Sequence, residues 1–172
     1  VAKRLFALDH NFPQPIVDVL SEFIAEADLV PIDKIDRRMP DLDDWELLLA
    51  LHLDSRSWDG LITADSSMTA RPKELSVLLQ TKLTLVVAEA AGHDPLKATG
   101  LVLAHLPGIC ARTDPDVPQL WTLRTASKPH TDPWDRLSNI ASRRGLQAKT
   151  LHQTNKLSAE ELLKNPLDDR ED

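Results

Sequence analysis

A single cysteine, Cys110, stands among the 172 residues, so the chain can form neither an internal disulfide nor a cysteine-rich zinc site. Histidine is scattered (His10, His52, His93, His105, His130, His152), with no pair at the close helical spacing of a zinc site. Glycine is scarce and forms no phosphate-cradling pattern, and neither a G-x-S-x-G nor a catalytic-cysteine motif is present. No apolar run approaches the roughly 18 residues of a membrane span. The chain enters a strand-like run, RLFALD, without the basic-then-apolar pattern of a signal segment. Excess positive charge is missing too. The formal net charge of −7 argues against broad electrostatic binding of nucleic acid. It does not exclude a metal-dependent nuclease, whose clustered carboxylates add negative charge of their own. These absences predict a soluble, cytoplasmic protein and leave carboxylates as its chemistry.

An apolar fraction of 42% is enough for one real core, and the length suits one domain with a small appendage. Arg4 to Asp9 reads as a strand ending in an acid. Asn11 and Pro13 then open a helix, with Ile16, Val17, Leu20, Phe23, Ile24 and Ala27 at helical spacing. DLVPIDKI, residues 28–35, reads as a second strand, with Pro31 marking an edge or bulged position. After a polar connector, a Leu-rich helix runs from Asp43 to about Asp54. Asp59 and Gly60 read as a turn before the strand LITAD, which ends at Asp65. A helix over 72–80 and an apolar strand over 83–88 follow. Asp94 and Pro95 then start a helix that reaches about Leu106, and a strand over 119–124 completes the alternation. Apolar strands alternating with helices predict a mainly parallel sheet of four to five strands in a three-layer α/β/α sandwich. We place this domain at residues 1–126. Residues 127–172 read as a short helical C-terminal extension, with a helix from Asp132 to Gly145 and a capping-box pattern at Ser158 and Glu161. The extension is too poor in apolar residues to be a domain. It either packs on the core, mediates self-association as in a homodimer, or receives a partner, and its removal is expected to alter association more than thermal stability.

Ligands of open parallel sheets gather outside the carboxyl ends of the strands. Asp9 and Asp65 each follow a predicted strand, and Asp43, Asp44 and Glu46 open the helix before the LITAD strand. Neighbouring first and third strands would bring these acids to one sheet end, where mutual repulsion calls for a hard cation such as Mg²⁺ or Mn²⁺. An acid in that position is also often only a cap or turn residue. Asp43 and Glu46 match a capping box, which leaves Asp44 as the better ligand candidate. Asn11 either caps the first helix or lines the site.

The strand ending LDHN before a proline-started helix, the aspartate opening a Leu-rich helix, and LITADSSM together resemble the PIN-like superfamily. The likeness covers residues 4–109 and is nearest to small bacterial members, which include ribonuclease toxins of toxin–antitoxin modules. The T-x-D of LITAD is its most specific piece. The resemblance implies that Asp9, Asp44 and Asp65 are catalytic metal ligands. They would hold Mg²⁺ or Mn²⁺ for hydrolysis of single-stranded or structured RNA, with an antitoxin protein as a partner. The fuller pattern is incomplete here: Asp36 and Asp41 are loose substitutes for a further acid after the second strand. Ser66 and Ser67 follow Asp65 where many relatives carry an acid and an aromatic. AEAAGHDPLKATG looks like a subfamily signature without an assigned role.

Arg37, Arg38, Arg71 and Lys73 flank the predicted mouth and either contact RNA phosphates or merely solubilise loops. Arg143, Arg144 and Lys149 form a separate basic patch on the extension, which either extends an RNA path or meets an acidic surface. Two other functions compete with a ribonuclease. One is a PIN-like binding module without turnover. The other is a phosphoacceptor receiver domain, disfavoured because His10 and Asn11 follow Asp9 and Arg124 stands where a lysine is wanted.

Overall fold

The computed structural model describes residues 3–10, 12, 14–89, 91, 94–124 and 130–168, with the side chains of 14–17, 20 and 130 left out. Asn11, Pro13 and the 126/127 boundary lie outside these residues, as do the side chains of Ile16, Val17 and Leu20. The elements run β1 (Arg4–Leu8), α1 (Gln14–Phe23), β2 (Ala27–Pro31), α2 (Ile32–Ile35), α3 (Asp44–Leu53), β3 (Gly60–Thr63), α4 (Pro72–Thr81), β4 (Thr84–Val87), α5 (Pro95–Cys110), β5 (Gln119–Thr122), β6 (His130–Thr131), α6 (Pro133–Arg143) and α7 (Ala148–Asn155). Strands β1 to β5 pair in parallel in the order β2-β1-β3-β4-β5, and β6 adds to β5 antiparallel. The protein is a three-layer α/β/α sandwich, as the alternation of apolar strands with helices predicts.

Strand alternation divides the core in two. Ala7, Leu61, Leu85, Val87 and Leu120 face the layer of α3, α4, α6 and α7. Phe6, Leu8, Ile62, Val86 and Trp121 face the layer of α1 and α5. Leu47 to Leu51 of α3 are all buried, because α4 covers the side of α3 that the sheet does not. Phe23, read as part of the inward stripe of α1, is instead exposed at its end, and Ile24 takes the buried position.

Several expected boundaries move. The second strand stops at Pro31, whose φ of −57° suits the start of a helix, and residues 32–35 form one helical turn that buries Ile32. Asp59 and Gly60 do not form a turn between elements. Gly60 begins β3 where β4 comes so close that a Cβ would lie 1.8 Å from the Thr84 carbonyl oxygen. The Asp59 carboxylate accepts from the Leu5 N–H at 2.7 Å and from Arg4 at 2.9 Å, clamping the start of β1. Helix α5 continues through Pro107 to Cys110, because Ile109 and Cys110 still pack into the core.

The extension packs on the core. Leu137, Ala141, Leu151, Leu157 and Leu167 belong to the same buried cluster as α3 and α4. Gln80 on α4 pairs with the Leu157 backbone in both directions, at 3.0 and 2.9 Å. Of the roles left open for the extension, packing on the core is the one the structure shows. Among the described residues no helix is long and apolar enough to cross a membrane.

Candidate functional site at the carboxyl end of the sheet

From β1 the chain steps outward to β2, then crosses back to place β3 on the other side of β1. The connections leaving β1 and β3 therefore diverge, which opens a crevice at their carboxyl ends. Asp9 and Asp65 stand there, and both follow the strand parity that faces α3 and α4. So does Glu89, just beyond β4.

The Thr63 hydroxyl explains why the acid sits two residues after a threonine. It accepts from the Asp65 N–H at 2.9 Å and donates to Asp9 Oδ2 at 2.6 Å, tying the ends of β1 and β3 together. Asp9 is buried, and its Oδ1 accepts from the His10 N–H at 2.7 Å. The exposed His10 ring turns Nδ1 to the same oxygen at 2.7 Å. Asp65 caps the 3-10 turn Ser66–Thr69: its two oxygens accept from the Ser67 N–H at 2.7 Å and the Ser67 hydroxyl at 2.9 Å. Ser67 thus positions Asp65, whereas Ser66 is exposed and gives its carbonyl to Thr69 at 2.9 Å.

Asp44 opens α3 after the Asp43 cap, whose N–H donates to Glu46 at 3.0 Å as the capping-box reading expects. Asp43 and Glu46 are thereby committed to the helix end. Asp44 turns to the crevice. Burial, then the Asp65 carboxylate, with smaller contributions from Asp9 and Glu74, push its carboxyl up to about 6, although Arg71 at 3.0 Å works the other way. Since this folded-state value lies above the ordinary 3.8, ionising Asp44 costs stability. That cost is absent below about pH 4 and fully developed above about pH 6. In EDTA, Asp44→Asn should therefore gain stability over the parent as pH rises through this window, by roughly 1 kcal/mol after allowing for solvent screening. Paired denaturant melts at pH 4 and pH 7.5 would show it; an equal difference at both would disprove the cause.

Two acids missed in the sequence lie at the same sheet end, and one of them, Glu74, acts on Asp44. Glu74, in the first turn of α4, is buried, and its Oε2 has no hydrogen-bond partner among the described residues. Arg71 approaches its other oxygen at 3.7 Å. Glu89 is held by Arg124 and accepts from the Thr69 hydroxyl at 3.0 Å. Glu89 could have been found by the rule that found Asp9 and Asp65, an acid just after an apolar strand. Glu74 carries no such signal. An orphaned carboxylate oxygen in the field of other acids is costly to bury. Glu74→Gln keeps the shape and removes the charge, so it is expected to melt no lower than the parent in EDTA and to gain less stability than the parent when Mn²⁺ is added. Thermal melts with EDTA and with Mn²⁺ check it, and a destabilised variant under both conditions would show that Glu74 is satisfied as it stands.

The flanking cations are placed unevenly. Arg38 binds Asp36 at 3.0 and 2.8 Å and the Leu167 carbonyl at 3.0 Å, so it ties the connector to the extension. The same guanidinium holds the Asp36 carboxyl down at about 2. Lys73 lies 4.0 Å above the Trp45 ring. Arg37 is exposed, and Arg71 reaches over the acids themselves.

Among the described residues no three His, Cys, Asp or Glu side chains are already gathered around one point as a metal-holding group. The donor chemistry nevertheless fits a hard cation. It consists of carboxylate oxygens, one of them buried and unpartnered at Glu74, with Asp44 resisting ionisation beside Asp65 and Asp9. Comparison with known proteins finds no matching family model, no matching curated protein and no matching solved structure.

Proposed function

We propose that the protein is a divalent-metal-dependent ribonuclease that hydrolyses RNA phosphodiester bonds at the crevice between β1 and β3. The observation that carries this reading is the convergence of Asp9, Asp44 and Asp65 at one sheet end, where the Thr63 hydroxyl ties Asp9 to the Asp65 N–H and Asp44 lies within the field of both acids. Three acids singled out in the sequence share one electrostatic environment, and that environment favours an added positive charge. The resemblance to PIN-like nucleases, carried by LDHN, the helix-opening aspartate and the T-x-D of LITAD, implies the same three residues. Asp9, Asp44 and Asp65 would hold Mg²⁺ or Mn²⁺, with the Glu74 carboxylate behind them. Such a cation supplies an activated water and charge stabilisation for displacement at phosphorus. Thr63 fixes the orientation of Asp9, and Ser67 that of Asp65. Arg71, half exposed beside Asp44, is positioned to meet a substrate phosphate once the acids are neutralised.

A mixed pool of single-stranded RNA incubated with Mn²⁺, beside a matched EDTA sample, tests the activity. Cleavage only with the metal is the expected outcome, and intact RNA in both samples would count against catalysis. A second reading, a binding module without turnover, draws on one observation. Arg71 and Arg124 already pair with Asp44 and Glu89, as bound cations would. Metal binding without cleavage would favour it.

A further inference from the structure

Helix α6 carries Arg136, Asn139, Ile140 and Arg143 at the i, i+3, i+4, i+7 spacing of one helix face. These residues, with Arg144 and with Ala70 from the turn after Asp65, line an open pocket of about 190 Å³. Among the described residues none of the three arginines has a carboxylate within ion-pairing distance. In a chain of net charge −7, three unneutralised guanidinium groups around one concavity form a local anion-attracting field.

The pocket shares a wall with the acidic crevice. Arg136 Nε donates to the Thr69 carbonyl at 2.8 Å and its Nη2 to the Thr69 hydroxyl at 3.3 Å. That hydroxyl also lies 3.0 Å from Glu89. Arg136 is thereby fixed at the rear, while the exposed Arg143 and Arg144 remain available to a ligand. The 3-10 turn between Asp65 and Ala70 rises only about 8 Å over its length. An extended strand cut at the crevice would therefore bring a neighbouring phosphate to the pocket.

We propose that this pocket binds the phosphodiester backbone of single-stranded RNA and fixes the path of the strand past the acids. The inference rests on the ribonuclease reading for its choice of ligand. The extension thus has a recognition role besides its role in the core. Because its groups are guanidinium and amide donors to phosphate, the pocket positions the strand without reading its sequence.

The test is fluorescence anisotropy of a labelled single-stranded RNA in EDTA, across a salt series, on the full chain. Arg143→Ala/Arg144→Ala should bind roughly tenfold more weakly, and its log-affinity against log-salt slope should shrink by about 1.4, at about 0.7 per phosphate contact. Arg143→Lys/Arg144→Lys should recover most of the slope, because the slope counts charge. Unchanged affinity and slope in the alanine pair would overturn the proposal, as would absence of binding by the parent. Inorganic phosphate and a mononucleotide serve as competitors; displacement at phosphate concentrations no higher than that of the RNA itself would reveal a small-anion site instead. With no metal present, the binding result is separate from cleavage. A protein that cuts RNA but ignores the arginine changes refutes only the pocket, and one that binds through it without cutting refutes only the nuclease reading.

Discussion

Asp65→Asn should lose at least about a hundredfold of the Mn²⁺-dependent RNA cleavage rate, more than a typical outer-shell change around a metal, while its melting temperature stays within about 2 °C of the parent. The two halves of this expectation have separate origins. Asparagine has the shape of aspartate, and its amide oxygen can still accept the Ser67 N–H, so the cap on the 3-10 turn survives. What disappears is negative charge at the end of β3. Asp65 is the largest charged contributor to the raised carboxyl of Asp44, so titration of Asp44 followed by NMR should move back toward ordinary carboxylate values in the variant. Cleavage at the parental rate would show that the crevice between β1 and β3 is not where RNA is cut. Lost cleavage with a collapsed melting temperature would instead assign Asp65 to the fold alone.

Deleting residues 132–172 should abolish cooperative unfolding altogether. Leu137, Leu151, Leu157 and Leu167 are all buried in the cluster that also holds α3 and α4. At about 1.5–3 kcal/mol for each leucine, their loss removes roughly 6–12 kcal/mol. A whole domain has about 5–15 kcal/mol of stability to lose. The deletion also strips both hydrogen bonds of Gln80 to Leu157, the Arg136 contacts to Thr69 and the Arg38 contact to the Leu167 carbonyl. Calorimetry of the shortened chain decides the matter: a transition at the parental temperature would mean that these contacts contribute nothing to the fold.

The extension also shows where reading the sequence runs out. Helix α7, AKTLHQTN, buries only Leu151 through its length, so it has no apolar stripe to announce it. Strand β6 consists of two residues, too few for any alternation. Both exist because neighbouring elements accept them, α6 and α4 for the helix and β5 for the strand. Elements with a periodic apolar pattern were legible: the strands ending near Asp9 and Asp65, and the helix that begins at the Asp43 cap. The mainly parallel character of the sheet followed from them, whereas the strand order came only with the structure. At the site, Asp9, Asp44 and Asp65 could be singled out because a strand end or helix start marks each. Glu74 sits inside an ordinary helical turn, and only the packing of α4 against α3 brings it to the other acids. The likeness to PIN-like proteins rests on the motifs and has no support from whole-chain similarity.

The two outer margins of the sheet are guarded against strand addition. On one side β2 ends in Pro31, which offers no N–H, and Asp28 forms an exposed ion pair with Lys3. On the other, β6 covers β5 for only two residues and runs against the remaining strands. Another copy of the chain meets a proline and charges at one margin and a stub at the other, neither a long template for intermolecular pairing. Clumping of the concentrated protein through sheet margins is thereby opposed by backbone geometry, independently of the repulsion that its net charge supplies.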